Sequence, residues 1–434
     1  MPNEPSTHER SRVLVFPCGT EIGLAIYRAL SWSTHVALYG ASSVASNHGK
    51  YVFSKYAEGL PFVHEARFLP ELNGLIKRWG IDFVFPAHDS VVLELAQRQG
   101  ELACAVIGSP PETCAICRDK AETYRRLRAI VRTPAVFDAK PANMPFPVFL
   151  KPRVGQGSRG VYMADSPEAL DLYMKRDPSL LVLEYLTGAE YTIDCLTDRH
   201  GALRFAGARE RVRVVNGISV HTRPVEGEEF QEMAKRINNA LVLRGAWFFQ
   251  AKRDDKGELV LLEAAPRVSG GMGLYRNLGV NLPLLSLFDA QDHDIEVLCH
   301  THSIEMDRAL CNRFRLRIEY DEVYIDLDDT LILDGLVNPM VVAFVYQCLN
   351  RGIPVHLVSR HAGDIHETLA RHRLTGLFDS IVHLDRLACK SRHINGGKPI
   401  FIDDSFAERK RVYEALGIPT FSVDAVESLM DWRT

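Results

Sequence analysis

Short apolar strands alternate with amphipathic helices in two separate stretches of this chain. The first contains VLVFP, the turn CGTEIG and the helix LAIYRAL, followed by the strands HVALYG, IDFVFPAHD and CAVIGSP. The second contains VYIDLDDTLI, VHLVSR, SIVHL, PIFIDD and TFSV. Strands that alternate with helices predict parallel sheets, whose ligands bind outside the carboxyl ends of the strands. We therefore expect two α/β units.

The chain between these two stretches follows a different pattern. From about residue 113 to residue 279, longer strands are joined by glycine-rich loops, as in FPVFLKPRVGQGSRGVYMA and ELVLLEAAPRVSGG. This pattern predicts an α+β region built on antiparallel sheets. A polar stretch over about residues 289–320 is predicted to be a connecting helix and linker. The expected fold class is therefore α/β and α+β multidomain.

Composition narrows the classes of function. The 434 residues are 46% hydrophobic and 24% charged, as in globular proteins, with 51 basic against 55 acidic residues. This balance argues against a nucleic-acid surface or a polybasic membrane contact. The first residues are polar, no run is long enough to span a bilayer, and the nine cysteines are scattered. We expect a cytoplasmic protein with reduced thiols, and neither nucleic acid nor membrane as a partner.

The segment KPRVGQGSRGV has the chemistry of a phosphate-binding loop. Lys151 follows a strand and can contact phosphate oxygens as a point charge. Gly155, Gly157 and Gly160 allow backbone N–H groups to turn toward anionic oxygens, and Ser158 adds a donor. No GKS or GKT follows, so this is not a Walker loop. Taken alone, a glycine-rich hairpin turn explains the segment equally well.

The loop is one member of an ordered set of charged residues, which in chain order are Lys120, Lys151, Glu184, Glu190, Glu263 and Arg267. The sequence places the first two glutamates on neighbouring strands. Two lysines, a glycine loop, a carboxylate-bearing strand pair and a later acidic strand resemble the ATP-grasp superfamily over about residues 10–285. The segments VLVFPCGTEIGLAIYRAL and IDFVFPAHDSVVLELA are similar to the preceding domain of its carbamoyl-phosphate-synthetase-like branch.

The resemblance implies a set of nucleotide contacts. The implied residues are Lys120 and Lys151 at the phosphates, Gly155, Gly157, Ser158 and Gly160 in a mobile loop, Glu184, Tyr185 and Leu186 at the adenine edge, and Glu190 at the ribose. It also implies the chemistry. ATP phosphorylates a small-molecule carboxylate, and an amine then attacks the acyl-phosphate, with the protein supplying positioning and charge neutralisation. Related ligases are commonly dimers, and the oligomeric state stays open.

The metal-facing positions depart from the family pattern. Gln250 and Glu263 match metal-facing positions on two adjacent strands, and hard oxygen ligands suit Mg²⁺. The family usually has Glu-x-Asn-Pro-Arg where this chain has EAAPR, so Ala265 removes one oxygen ligand. We expect weaker metal binding or a single Mg²⁺. Arg267 and Arg209 are predicted anchors for a carboxylate or an acyl-phosphate, with an ordinary surface salt bridge as the alternative.

The second α/β stretch carries its own set of chemical groups. Asp326 and Asp328 stand two apart at a strand end and point the same way, so both can reach one phosphorus and one Mg²⁺. The later strand-end residues are Ser359, Lys390, Asp403 and Asp404. An acidic helix cap would explain a single aspartate but not this series. The series resembles the haloacid-dehalogenase-like phosphatase superfamily.

This second resemblance implies a role for each group. Asp326 is the nucleophile that forms an aspartyl-phosphate, Asp328 is the general acid and then base, and Ser359 and Lys390 hold the phosphoryl group. The implied Mg²⁺ ligands are Asp326, Asp328, Asp403 and Asp404. The gaps between these motifs are too short for a cap domain, so we expect an open site.

The predicted organisation has four parts: a pre-ATP-grasp α/β domain over 1–112, an ATP-grasp domain over 113–290, a linker over 291–318, and a Rossmann-like haloacid-dehalogenase-like domain without a large cap over 319–434. The leading hypothesis is a carboxylate–amine ligase fused to a phosphatase. An ATP-grasp small-molecule kinase is one alternative. The other is that one half is a non-catalytic binding module, and Ala265 makes the ATP half the better candidate for that loss.

Overall fold

The structure is a computed structural model that describes residues 10–137, 144–155, 157 and 159–433. The chain forms two compact units, Met1–Leu310 (together with Thr434) and Cys311–Arg433. Within the described ranges, no helix is both long and apolar enough to cross a membrane.

The first unit begins with a five-stranded parallel sheet in the order β3-β2-β1-β4-β5. Its strands are β1 (Ser11–Phe16), β2 (Val36–Ser42), β3 (Lys55–Glu58), β4 (Phe83–Pro86) and β5 (Ala105–Val106). The central strand β1 is fully buried over its apolar part because both of its edges and both of its faces are covered. The predicted parallel sheet is confirmed. The strand β3 was not predicted, because it is a short edge strand without buried residues.

Three helices accompany this sheet: α1 (Glu21–Leu30), α2 (Phe68–Trp79) and α3 (Asp89–Gln97). Thr20 caps α1 by accepting a hydrogen bond from Gly23 N at 3.0 Å. A side chain at Gly23 would lie 2.6 Å from the carbonyl oxygens of Pro17 and Cys18. Glycine is therefore required where β1 turns into α1.

A small antiparallel sheet follows, in the order β7-β6-β8. Two helices precede it, α4 (Pro111–Arg118) and α5 (Lys120–Leu127). Its elements are β6 (Val148–Pro152), β7 (Tyr162–Ala164), α6 (Pro167–Arg176) and β8 (Leu180–Glu184). Leu170 of α6 packs against the apolar face of β6 and β8.

A larger antiparallel sheet completes the first unit, in the order β13-β12-β9-β10-β11-β14. Its strands are β9 (Glu190–Thr197), β10 (Leu203–Val215), β11 (Ile218–Pro224), β12 (Gly245–Arg253), β13 (Leu259–Ala265) and β14 (Met306–Asp307). Helix α7 (Glu228–Ala240) buries Phe230 and Ile237 against Trp247 and Phe249 of β12. Helices α8 (Gly273–Arg276) and α9 (Leu282–Ala290) follow β13. The predicted antiparallel α+β region is confirmed.

Two sequence expectations about this region are wrong. Glu184 and Glu190 are on consecutive strands, but β8 belongs to the three-stranded sheet and β9 to the six-stranded sheet. The residues between them therefore link two sheets instead of joining neighbouring strands of one sheet. The polar stretch after α9 contains no further helix before residue 321. It instead supplies β14, which pairs with β11.

The second unit is a parallel sheet in the order β19-β18-β15-β20-β21. Its strands are β15 (Glu322–Ile325), β18 (Val355–Ser359), β19 (Ser380–His383), β20 (Pro399–Ile402) and β21 (Thr420–Phe421), and its helices are α10 (Pro339–Asn350), α11 (Ile365–Arg371) and α12 (Phe406–Leu416). A small hairpin of β16 (Ile332–Leu333) and β17 (Leu336–Val337) follows β15. The described segments between these strands contain no cap domain, as the motif spacing predicts.

Two candidate active sites

The first candidate site is a cleft in the first unit that contains both predicted lysines. Its cavity of about 190 Å³ is lined by residues of the three-stranded sheet and of the six-stranded sheet. The predicted residues in its wall are Lys120, Lys151, Gly155, Gly157, Glu184, Tyr185, Leu186, Glu190, Gln250 and Glu263. The structure therefore brings nearly all of the predicted nucleotide and metal positions to one place. Ser158 lies outside the described residues.

The Lys151 ammonium group is held inside the protein. It is on β6, its side chain is 7% exposed, and its Nζ donates to the Leu262 carbonyl oxygen at 3.0 Å. Burial, together with the charge of Lys120, lowers the pKa of Lys151 to about 8, although the carboxylate of Glu263 opposes the change. A buried cation of this kind favours an anionic ligand.

The glycine loop contacts two cationic side chains. The Gly155 carbonyl oxygen accepts hydrogen bonds from Lys120 Nζ at 3.1 Å and Arg118 Nη1 at 3.4 Å, and the contact of the loop N–H groups with an anion stays a prediction. Gly157 and Gly160 have φ values of 61° and 70°, which favour glycine. Gly160 lies near Pro152 and is not among the residues that line the cleft. The Gly155 carbonyl oxygen is thus the hydrogen-bond acceptor for both Lys120 and Arg118.

The two glutamates on either side of the sheet junction are both paired. Arg132 Nη2 donates to Glu184 Oε1 at 2.7 Å, and the backbone N–H of Ala135 donates to Glu184 Oε2 at 3.0 Å. The Glu184 N–H itself donates to the Ala135 carbonyl oxygen. Arg211 Nε lies 3.1 Å from Glu190 Oε1. The sequence reasoning missed both arginines, because no local spacing connects them to their partners.

One row of side chains crosses four strands of the large sheet. Arg209 of β10 is the register partner of Thr192 of β9, which faces Gln250 of β12, which faces Glu263 of β13. Directly paired residues in a sheet point to the same face. The predicted metal-facing pair is therefore adjacent. It offers one carboxylate and one amide oxygen, which fits one Mg²⁺ better than two.

Arg209 ends this row in a buried network. It is 2% exposed, and its Nε donates to Asp194 Oδ2 at 2.8 Å while Nη2 donates to Ser269 Oγ at 3.0 Å. A side chain at Gly271 would lie 2.6 Å from the guanidinium carbon. The alternative that Arg209 forms an ordinary surface salt bridge is therefore wrong. Arg209 joins the loop after β13 to the centre of the sheet.

Arg267 is engaged by a residue that sequence reasoning did not select. Its Nε and Nη2 donate to the two carboxylate oxygens of Asp89 at 2.7 and 2.9 Å, and Nη1 donates to the Val268 carbonyl oxygen. Burial raises the pKa of Asp89, but the charge and hydrogen bonds of Arg267 outweigh burial and hold the pKa below its usual value. Arg267, which was predicted to anchor a carboxylate or an acyl-phosphate, is therefore paired with the Asp89 carboxylate in this structure.

The second candidate site lies at the carboxyl ends of the parallel strands in the second unit. Asp326 follows β15 and Asp403 follows β20, and the two strands are direct neighbours. Lys390 Nζ lies 2.8 Å from Asp326 Oδ1 and donates to Asp403 Oδ2 at 2.6 Å. Ser359 ends the other neighbouring strand, β18, and is buried. The structure therefore gathers these predicted residues around one lysine.

Three carboxylates of this site could hold a cation together. Ligand oxygens of Asp326, Asp403 and Asp404 lie within 4.8 Å of one another, which makes this the one such acidic group in the described part of the chain. Burial raises the pKa of Asp326, although Lys390 and the Ser359 hydroxyl oppose it. Burial and the charge of Asp326 raise the pKa of Asp403 to about 6. Carboxylates crowded in this way favour a bound divalent cation.

Asp328 is placed apart from this acidic group. It was predicted as a metal ligand and as the general acid, yet its carboxylate faces His361, whose Nδ1 lies 2.9 Å from Oδ1 and 3.0 Å from Oδ2. The sequence reasoning missed His361. It also missed Thr330, whose hydroxyl accepts a hydrogen bond from Asp404 N at 2.9 Å. The Asp328–His361 pair is therefore separate from the group of carboxylates around Lys390.

Part of the first unit matches a known family model. Residues 176–309 match the model described as ATP-grasp in the biosynthetic pathway with Ter operon. The matched segment runs from the last helix before β8 to the end of β14, so it contains the large antiparallel sheet. It covers less than a third of the chain.

Curated relatives match over similar lengths. The vancomycin/teicoplanin A-type resistance protein VanA of Enterococcus faecium is 29% identical over 188 residues, which are 36% of this chain and 54% of that protein. The D-alanine–D-alanine ligase of Thermotoga petrophila is 31% identical over 126 residues, 27% of this chain and 42% of that protein. The chain thus spans about half or less of the curated relatives it matches.

Solved structures show the same fold at low identity. The biotin carboxylase domain of Hydrogenobacter thermophilus 2-oxoglutarate carboxylase, solved with MgADP, ADP and bicarbonate, has a TM-score of 0.55 at 16% identity and covers 67% of this chain and 71% of that chain. The L-amino acid ligase of Bacillus licheniformis has a TM-score of 0.53 at 15% identity, covering 65% and 74%.

Together these matches support an ATP-grasp fold for the first unit. ATP-grasp ligases use ATP and Mg²⁺, so the cofactor prediction is confirmed at the level of this class. The matches give no support for a fused phosphatase domain, and that assignment stays a prediction. Cytoplasmic location and a homodimer also stay predictions.

Proposed function

We propose that the protein binds Mg²⁺ and ATP in the cleft of the first unit and joins a small carboxylate to an amine through an acyl-phosphate. The observation that carries this proposal is the convergence of Lys120, Lys151 and Glu263 on one cavity between two antiparallel sheets. We also propose that the second unit is a phosphatase with Asp326 as its nucleophile. The fused protein would then be bifunctional.

The cleft has the charges that a nucleoside triphosphate requires. Lys151 and Lys120 supply buried positive charge, and the loop carbonyl of Gly155 that they contact would be exchanged for phosphate oxygens. Tyr185 and Leu186 line the far part of the cleft, where the two sheets are joined, and they suit the base. Arg211 beside Glu190 supports this arrangement from the large sheet.

Glu263 and Gln250 are the residues that would hold Mg²⁺, which neutralises charge on the transferring phosphoryl group when it is bound. Ala265 stands near them without an oxygen ligand, consistent with one ion. The chain's own contribution is to fix the phosphates between Lys151 and Lys120 and to exclude water from the cleft. Positioning and fixed charge of this kind are sufficient for phosphoryl transfer without a covalent nucleophile.

A second, smaller cavity gives the carboxylate a place to bind. It measures about 60 Å³, shares Lys120, Gly155 and Glu263 with the nucleotide cleft, and is also lined by Arg118 and Arg267. A carboxylate there would lie beside the terminal phosphoryl group of ATP, whose phosphorus it attacks as ADP leaves. The small volume and the guanidinium group of Arg118 favour a small anionic substrate, whereas Arg267 is already paired with Asp89 in the wall of this cavity. The D-alanine–D-alanine ligase and L-amino acid ligase neighbours support an amine as the second substrate.

ADP release by the full-length chain tests the ligase proposal. We expect release that requires both a carboxylate and an amine in a screen of amino acids, sugar acids and amines. Glu263→Gln should lower kcat by about 100-fold, since removing a group that stabilises transition-state charge typically costs this much. The matched control is Glu258→Gln, an exposed glutamate on the same hairpin, which should behave as the wild type. Release that never depends on an amine would instead support a small-molecule kinase.

The low pKa of Lys151 predicts how nucleotide affinity depends on pH. Its folded-state pKa of about 8 lies below the usual 10.5, so the free protein loses this charge as pH rises through about 8. Because the triphosphate binds the ammonium form, affinity for Mg²⁺ and ATP should be constant below this pH and fall by up to about tenfold per pH unit above it. Calorimetric titration at a series of pH values measures this.

Lys151→Arg is the control for that titration, because a guanidinium keeps its charge throughout this pH range. The variant should show a flat affinity above pH 8, whatever its absolute value. A wild-type affinity that does not change between about pH 7 and pH 9.5 would contradict the assignment of Lys151 to the phosphates.

The phosphatase proposal rests on the group around Lys390. Asp326 is the carboxylate at the end of the central strand, within 2.8 Å of that ammonium, and Ser359 lies beside it. In the proposed reaction an Asp326 oxygen forms a bond to phosphorus as the ester oxygen leaves with a proton from Asp328. Water then attacks phosphorus, returns a proton to Asp328 and releases Asp326. Asp326, Asp403 and Asp404 would hold Mg²⁺, which neutralises the phosphoryl charge.

Phosphate release from phosphomonoesters by the full-length chain tests this second activity. Asp326→Asn should abolish release, since the amide cannot act as the nucleophile. The matched control is Asp385→Asn, an exposed aspartate of the same unit, which should keep full activity. Equal rates in the wild type and Asp326→Asn would show that the second unit is not an aspartyl-phosphate phosphatase.

A further inference from the structure

We infer that His361, held in place by Thr368, is the positioning residue for Asp328 in the second unit, and that it makes Asp328 an effective proton donor to the leaving group. This inference rests on the proposed phosphatase function. His361 is not part of the sequence pattern that suggested that function. It is placed by the fold, two residues after Ser359 at the end of β18.

Asp328 needs such a partner because of where it lies. Its side chain is 49% exposed, so the carboxylate would otherwise turn freely into solvent. It is separate from the carboxylates of Asp326 and Asp403, which Lys390 holds in one group. A general acid must stay within hydrogen-bond reach of the oxygen that it protonates. An exposed aspartate without a fixed orientation would meet that condition only part of the time.

His361 provides the missing constraint through both ring nitrogens. Nδ1 lies 2.9 and 3.0 Å from the two carboxylate oxygens of Asp328. Nε2 lies 2.8 Å from the hydroxyl oxygen of Thr368. The His361 side chain is only 16% exposed. When Nδ1–H donates to the carboxylate, Nε2 of the neutral ring accepts from the Thr368 hydroxyl, so one tautomer satisfies both contacts.

The elements around His361 fix its backbone and its partner. Strands β15 and β18 are parallel neighbours, so the residues just beyond their carboxyl ends, Asp328 and His361, lie side by side. Asp364 caps α11 by accepting hydrogen bonds from the N–H groups of His366 and Glu367, which sets the position of Thr368 one turn later. The His361 carbonyl oxygen lies 2.8 Å from His383 Nε2. Asp328 and Thr368 therefore hold the ring, and His383 of β19 contacts the backbone.

The pair opens onto the space that a leaving group needs. Asp328, His361 and Thr368 line an open groove of about 620 Å³ between the β16–β17 hairpin and α11. In the first step the Asp328 proton passes to the ester oxygen as the phosphorus–oxygen bond breaks and the Asp326–phosphorus bond forms. The hydrogen bond from His361 then becomes charge-assisted, because its acceptor is now an anion, and such bonds are about twice as strong as neutral ones. His361 thus favours the product of proton donation.

The test compares two esters of similar shape on the full-length chain with Mg²⁺. Phenyl phosphate has a leaving group that needs protonation, whereas 4-nitrophenyl phosphate has one that leaves readily as an anion. His361→Ala should lower kcat on phenyl phosphate by about 30-fold or more, and on 4-nitrophenyl phosphate by less than about 5-fold, since general acid catalysis contributes 10²–10⁴ where it is needed. KM should change little for either ester.

His361→Asn keeps an N–H donor close to the position of Nδ1 and should restore most of the activity on phenyl phosphate. His366→Ala, at an exposed position of α11, is the control and should match the wild type on both esters. Equal losses on the two esters, or no rescue by the asparagine, would overturn the positioning role while leaving the phosphatase in place. A wild-type chain without activity on either ester would overturn the phosphatase proposal and this inference with it.

Discussion

The position of the Lys151 ammonium group between two antiparallel sheets is the constraint on which the first unit depends. Taking such a charge out of water costs several kcal/mol, and here burial already lowers its pKa to about 8. The contacts to the Leu262 carbonyl and the nearby Glu263 offset this only in part. A cleft that holds a cation in this way is a receptor for an anion of high charge density. Lys120 and the glycine loop line the same cleft and also suit the binding of such an anion.

The second unit meets a similar requirement with the opposite sign. There the crowded groups are carboxylates, and Lys390 lies between Asp326 and Asp403 at the ends of two parallel strands. Burial raises the pKa of both aspartates, so the group favours added positive charge. In each unit, charged side chains are thus grouped where strands end or where two sheets meet.

The sequence predicts those elements and positions because they depend on local pattern. Lys151 follows an apolar run within β6, and Asp326 follows the buried strand β15, so Asp326 must lie at the carboxyl end of that strand. The edge strands β3 and β14 were missed since they are short and half-exposed. The partners of the site residues were missed for another reason. Arg267 meets Asp89, and Asp328 meets His361, across long stretches of chain, and no spacing rule connects such pairs.

The central claim is that the two sheets of the first unit close on a triphosphate at Lys151. Hydrogen–deuterium exchange of the full-length chain, with and without Mg²⁺ and a non-hydrolysable ATP analogue, measures it directly. The account predicts that the nucleotide slows exchange in β6 and in the link between β8 and β9, and that Lys151→Ala abolishes this protection. Unchanged exchange in both segments at saturating nucleotide, or equal protection in the variant, would contradict it.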